Sequence, residues 1–281
     1  MASLVDRYAL IFHVKSKKLY VLYPALTHLV VTFVIIQFFP IEKLSFDVLG
    51  WAILGGLLEV WTLYYLFTAI SLEQITKVFP LSSLTSFLVL FLSWLLLNDP
   101  LSGSSLYAFF LFVAGGTILG VSHDKKKINL SKALKPLLIT GFVGSFQIIV
   151  MKHVFNLTRF WTGFFYSRIG LFIGGLIIFL AWQKKIIKEW KKVKPKTHSL
   201  LFGNQIIAVF GHVFVYFALS LANSALVSSA YGIQHIMIFL MATFISIWKP
   251  EILKEELTKK EILKKAIGTL LVIAAIYFLN V

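Results

Sequence analysis

Cysteine is absent from the 281-residue chain. That excludes disulfides, thiol catalysis and thiolate metal sites. Acidic residues are scarce, with 12 Asp and Glu against 27 Lys and Arg. Charged residues together make up only 14%, where a soluble domain carries about 25%. Long polar intervals are missing as well. The two longest run over roughly 183–198 and 248–263, too short for a soluble domain. No Gly-x-Gly-x-x-Gly, P-loop or Gly-x-Ser-x-Gly motif occurs, so the chain is read as a non-enzyme with no cofactor. ATP-driven pumping by this chain alone is excluded. No two His share an i, i+4 face and no carboxylate flanks them, so no metal site is expected. Residues Met1 to Tyr8 lack the charged and apolar regions of a cleaved signal peptide.

What is present is apolar. Hydrophobic residues reach 58%, with 27 Phe, and mean hydropathy is +0.86. This composition predicts an all-α, polytopic helical membrane protein whose surroundings are the lipid bilayer. A bilayer core needs about 20 mostly apolar residues per helix. That ruler yields nine spans, at roughly 20–39, 50–70, 74–97, 104–122, 136–156, 160–182, 199–221, 224–247 and 264–280. The net charge of +15 would suit nucleic acid, but Lys sits in short clusters between apolar runs, as in cytoplasmic loops. No nucleic-acid partner is expected.

Lys and Arg orient the array. One side receives 23 of them, the other only Lys43, Lys152 and Arg159, while Arg168 lies within a span. The positive-inside rule then places the N-terminus in the cytoplasm of a multi-pass cell-membrane protein. With nine spans the C-terminus faces outward.

The chain also repeats itself. Ala69-Ile70-Ser71-Leu72 matches Ala218-Leu219-Ser220-Leu221, and Val78 matches Val227 in the same frame. Pro100 matches Pro250, Gly116-Thr117 matches Gly268-Thr269, and Tyr23 matches Tyr166. The shared order pairs span 20–39 with 160–182, 50–70 with 199–221, 74–97 with 224–247, and 104–122 with 264–280. Each pair runs in opposite directions, which is an inverted-topology repeat, a ground plan of secondary transporters. Span 136–156 has no counterpart.

Those residues, with Pro80-Leu81, Asp99-Pro100, Gly115, Glu255-Glu256-Leu257-Thr258 and Ala266-Ile267, resemble the EamA-like branch of the drug/metabolite transporter superfamily. Arg168 after Phe165-Tyr166-Ser167 is similar to an Arg often found in that family's second helix. The resemblance implies two repeats, a first of four helices over 20–122 and a second of five over 136–281, preceded by a cytoplasmic segment 1–19. The family usually has ten helices and both termini inside. This chain departs by lacking the first repeat's opening helix, and by an outward C-terminus. A second copy or another membrane partner is therefore considered as a source of that helix.

Glu59 is the sharpest single signal. An acid in mid-span costs at least ~2.5–3.5 kcal/mol on insertion scales. Gly55 or Gly56, Glu59, Thr62 and Ala69 share one face, so the acid sits among small residues. It is the candidate proton carrier, or a binding group for a cation, or a partner of Arg168. Arg168 lies about 12 Å into its span, where it would bind substrate, snorkel or pack. Ser228, Tyr231 and His235 share a face with Gln234 beside them, and Asn204, Ala208, Gly211 and His212 line another with Gln205 beside them. Gly141, Gly144 and Gln147 line a third. Such faces line cavities or pack helices. Trp61, Tyr64 and Tyr65 read as an interfacial belt or a stacking surface. The substrate-binding set is Glu59, Arg168, His212, Gln234, His235, Tyr231 and Asn204. The expected function is carriage of a small organic metabolite by alternating access, with proton coupling through Glu59. The rivals are a non-transporting membrane subunit and a component of a lipid-linked sugar flippase.

Overall fold

A computed structural model describes residues 2–72, 83–101, 103–120, 133–230 and 259–279, with positions 233, 234, 237, 240, 241, 244 and 248 between the last two segments. The described residues are mostly helical and contain no strand. The helices are α1 (Ala2–Phe12), α2 (Lys17–Tyr20), α3 (Leu22–Ile35), α4 (Phe46–Leu72), α5 (Ser83–Leu97), α6 (Gly103–Gly120), α7 (Leu134–Leu157), α8 (Phe160–Ala181), α9 (Gln183–Trp190), α10 (Pro195–Leu221), α11 (Ser224–Ser229) and α12 (Lys259–Leu279).

Five stretches are long and apolar enough to cross a membrane: Lys17–Phe38, Phe46–Leu72, Leu134–Leu157, Phe160–Trp190 and Pro195–Leu221. They coincide with the predicted spans 20–39, 50–70, 136–156, 160–182 and 199–221. Thr85–Leu97, Gly103–Gly115 and Ala266–Ala275 are shorter apolar helices among the described residues. Much of the second half of span 224–247 lies outside them, as do Pro80-Leu81 and the acidic pair Glu255-Glu256.

Helix ends follow local chemistry. Pro195 opens α10 at its first turn, where a missing N–H costs nothing. Asn223 caps α11 by accepting from Ala225 and Leu226 N–H groups, while its amide donates to the Asp99 carbonyl at 2.8 Å. Lys152 donates to the Leu219 and Ala222 carbonyls at 3.1 and 2.8 Å. A cation thus sits on the negative C-terminal end of α10. Arg159 pairs with Glu42 at 3.1 Å on the exposed surface.

Helix α4 is the hub, packed along α7 on one side and α8 on the other. Helix α3 lies against α8 and α10, α5 against α7 and α11, and α6 against α12. The N-terminal segment is not a loose tail. Its helix α1 packs on α4 and α10, burying Leu4, Asp6, Ala9 and Leu10. At the Lys-rich end of the bundle α9 is amphipathic, with Ile186 buried and Lys184, Lys185 and Lys188 exposed. Lys18 caps this junction with its ammonium 3.5 Å from the centre of the Trp182 ring.

The α4–α8 crossing has almost no side chain between backbones. A Cβ at Gly56 would lie 2.0 Å from the Ser167 carbonyl, and one at Gly170 would lie 2.3 Å from the Ile53 carbonyl. Only glycine permits that approach. It sets Glu59, three residues past Gly56, opposite Arg168, two before Gly170.

Candidate functional site

Glu59 is the central residue of α4, thirteen positions from each end. At about 1.5 Å per residue it sits roughly 20 Å from either terminus. Arg168 is fully buried and Glu59 is 3% exposed. The guanidinium grips the carboxylate with both terminal nitrogens, Nη1 to Oε1 at 2.9 Å and Nη2 to Oε2 at 2.5 Å. This fork-on-fork geometry is the strongest form of the pair.

Three further helices close the site. From α10, the Tyr216 hydroxyl donates to Glu59 Oε2 at 2.7 Å, and from α7 the Gln147 amide donates to that hydroxyl. Ser167 Oγ accepts from Arg168 Nε and Nη2 at 3.3 and 3.2 Å. The guanidinium carbon also lies 4.8 Å and 5.1 Å from the centres of the Phe164 and Tyr216 rings, adding cation–π attraction. From α3, His28 Nδ1 lies 3.0 Å from Arg168 Nη1.

The two histidines have assignable protons. Arginine only donates, so His28 Nδ1 accepts and its proton sits on Nε2. Among the described residues that Nε2 is buried without a hydrogen-bond partner, as are the hydroxyls of Thr27 and Thr32 on the same helix. His212 Nδ1 lies 2.9 Å from the Ala208 carbonyl, so Nδ1 carries a proton. Its Nε2 is 3.6 Å from Glu59 Oε1. The two imidazoles meet edge to face, 4.9 Å between centres.

Of the predicted site residues, Glu59, Arg168 and His212 come together here. Asn204 is brought elsewhere, into a cluster around Asp6, where its amide donates to Asp6 Oδ1 at 2.7 Å. Gln234 is half-buried and shares none of this network's hydrogen bonds. Tyr231 and His235 lie outside the described residues. Trp61 is 43% exposed and stacks with Tyr65. Sequence reasoning missed His28 and Tyr216. Tyr216 lies one turn after His212 on the same face, a spacing that could have found it. His28 stood as a lone imidazole in an apolar run.

No family model matches the chain, and no curated protein matches it. Solved structures do. One crystal structure superposes with a TM-score of 0.62 at 12% identity, over 99% of this chain and 93% of that one. The likeness is one of fold.

Proposed function

We propose that the chain is an integral membrane carrier that moves a small organic metabolite by alternating access. One observation carries the reading: a buried ion pair at mid-depth, joined by polar groups from three further helices, with the His28 Nε2 beside it unpartnered among the described residues. Charges are rarely placed in a membrane interior unless they are used. The Nε2–H of His28 and the hydroxyls of Thr27 and Thr32 are unsatisfied groups. Such groups favour a ligand that supplies hydrogen-bond acceptors. The EamA-like resemblance agrees with this reading.

The inverted repeat belongs to the same proposal. Several helix contacts support it under exchange of the predicted partners. The pairs α3 with α8, α5 with α11 and α6 with α12 are each in contact. The α4–α8 contact exchanges with the α10–α3 contact. If α1 stands in for the opening helix that the first repeat lacks, α4–α7 exchanges with α10–α1, and α7–α10 with α1–α4. All of these are contacts. The repeats then meet at the ion pair, Glu59 from the first and Arg168 from the second.

The test is a thermal-shift screen of purified protein against a metabolite panel at two pH values, followed by uptake into proteoliposomes. At least one compound should stabilise the protein saturably, and Arg168→Lys and Glu59→Gln should lose that stabilisation. A panel without any stabiliser or uptake would favour the non-transporting subunit. That second reading has its own support. Helix α10 buries only 28% of its apolar window, against 44–61% for the other four candidate spans. Ile207, Phe210 and Phe214 face outward, where a partner helix could lie.

A further inference from the structure

A second buried carboxylate lies away from the ion pair, on α1. Asp6 is 8% exposed. Its Oδ1 receives three hydrogen bonds, from the Tyr20 hydroxyl at 2.8 Å, the Asn204 amide at 2.7 Å and the Gln205 amide at 3.2 Å. Every one of these donors is neutral. The contrast with Glu59, held by a guanidinium fork, is plain. All three donors crowd one oxygen, and Oδ2 has no hydrogen bond among the described residues. The Asn204 amide also lies 3.2 Å from the Ala2 carbonyl, which ties the first turn of α1 to α10. Phe67 and Ile70 of α4 pack in one apolar cluster with Leu4, Ala9 and Leu10 of α1 and with Tyr20.

We propose that Asp6 is a proton-binding site, and that the proton held on Oδ2 keeps α1 seated between α4 and α10 at the Lys-rich end. The step is simple addition: a carboxylate and a proton from water give the neutral acid, and no other reactant takes part. Burial pushes this carboxyl up to about 7, against the pull of Tyr20, Gln205 and Asn204. Tyr20 is the titratable group bonded to it among the described residues, α10 presents the Asn204 and Gln205 amides, and α4 brings Phe67, Ile70 and the ring of Tyr64 to the neighbouring apolar cluster. Loss of the proton leaves an ion that water solvates better than three neutral donors can. Helix α1 then lifts, uncovering the Lys-rich half of α4 and α10, the helices that carry Glu59 and Tyr216 further in. The purpose of the switch rests on the carrier reading, whereas its chemistry does not. It places proton coupling on Asp6, leaving Glu59 to Arg168.

The experiment needs no substrate. Infrared difference spectra of the purified protein between about pH 5.5 and about pH 8.5 should contain a protonated-carboxyl band that titrates near 7. The band should persist in Glu59→Gln and vanish in Asp6→Asn. Spin labels at Phe12→Cys and Gly203→Cys should move apart over the same pH range, and Asp6→Asn should hold them at the short distance. Phe12 is 56% exposed, and a Cβ at Gly203 meets nothing within 4 Å. Tyr20→Phe removes one donor to the anion and should raise the midpoint by about one pH unit. It also serves if Asp6→Asn fails to fold. A band untouched by Asp6→Asn, an unmoved midpoint in Tyr20→Phe, or a label distance independent of pH would overturn the proposal. Failure of the carrier reading would instead appear in the metabolite screen, with the Asp6 titration intact.

Discussion

Glu59 offers both carboxylate oxygens to the two terminal nitrogens of Arg168, so removing either side chain strands the charge of the other. Glu59→Gln should therefore destabilise the purified protein by about 3–5 kcal/mol, the usual cost of breaking a buried pair. Arg168→Lys keeps the charge but loses the planar fork, and should cost less while still abolishing ligand stabilisation. The double change Glu59→Gln with Arg168→Gln should be milder than the sum of the singles, since neither charge is then left alone. Denaturation in detergent measures all three, and additivity would mean that the pair is not coupled. Asp6 gives a different signature. Burial holds its carboxyl at about 7 in the folded state, above the ordinary 3.8, so the folded state binds the extra proton between those values. Stability should fall as pH rises through that window, and Asp6→Asn should flatten the slope.

The α4–α8 crossing makes the site depend on two glycines. Gly170→Ala would drive a methyl into the Ile53 backbone, whereas a Cβ at Gly50 on α4 meets nothing within 4 Å. Gly170→Ala should thus lose folded protein or separate the helices, while Gly50→Ala should be neutral or favourable by up to about 1 kcal/mol. Size-exclusion profiles of the two variants decide this, and equal behaviour would mean that the crossing tolerates slack. The same elements mark what the sequence made legible. Helix positions were readable because apolar length is a strong signal, as in α7 and α8. Glu59 and Arg168 were readable because charge inside an apolar run is rare. That they meet was not, because contact depends on a crossing between helices far apart in the chain. Helix α1 was opaque for another reason. It is 11 residues long, too short for any span ruler, and its burial comes from α4 and α10 and from Tyr20 of α2.

For the whole molecule, the split of basic residues predicts one face for the Lys-rich end. Because the chain has no cysteine, single Cys residues can be introduced without background. Lys188→Cys should resist an impermeant maleimide applied outside intact cells, and Lys43→Cys should react. The reverse pattern would invert the topology. The Lys-rich end is also where α9 lies with Ile186 inward and its lysines exposed. This suits a helix resting at a membrane surface. It agrees with the closure of that end by α1, because the Asp6 cluster lies in the Lys-rich half of α10.

The pairing of Glu59 with Arg168 across 109 residues has a consequence for the order of synthesis. The acid leaves the ribosome first. At about 5–20 residues per second, roughly 5–20 s pass before its guanidinium partner is made. During that interval α4 must enter the bilayer with an unpaired acid at its centre, or wait beside the insertion machinery until α8 arrives. Arrested nascent chains ending between the two helices should therefore hold α4 less firmly than chains that include α8, and Glu59→Leu should remove the difference.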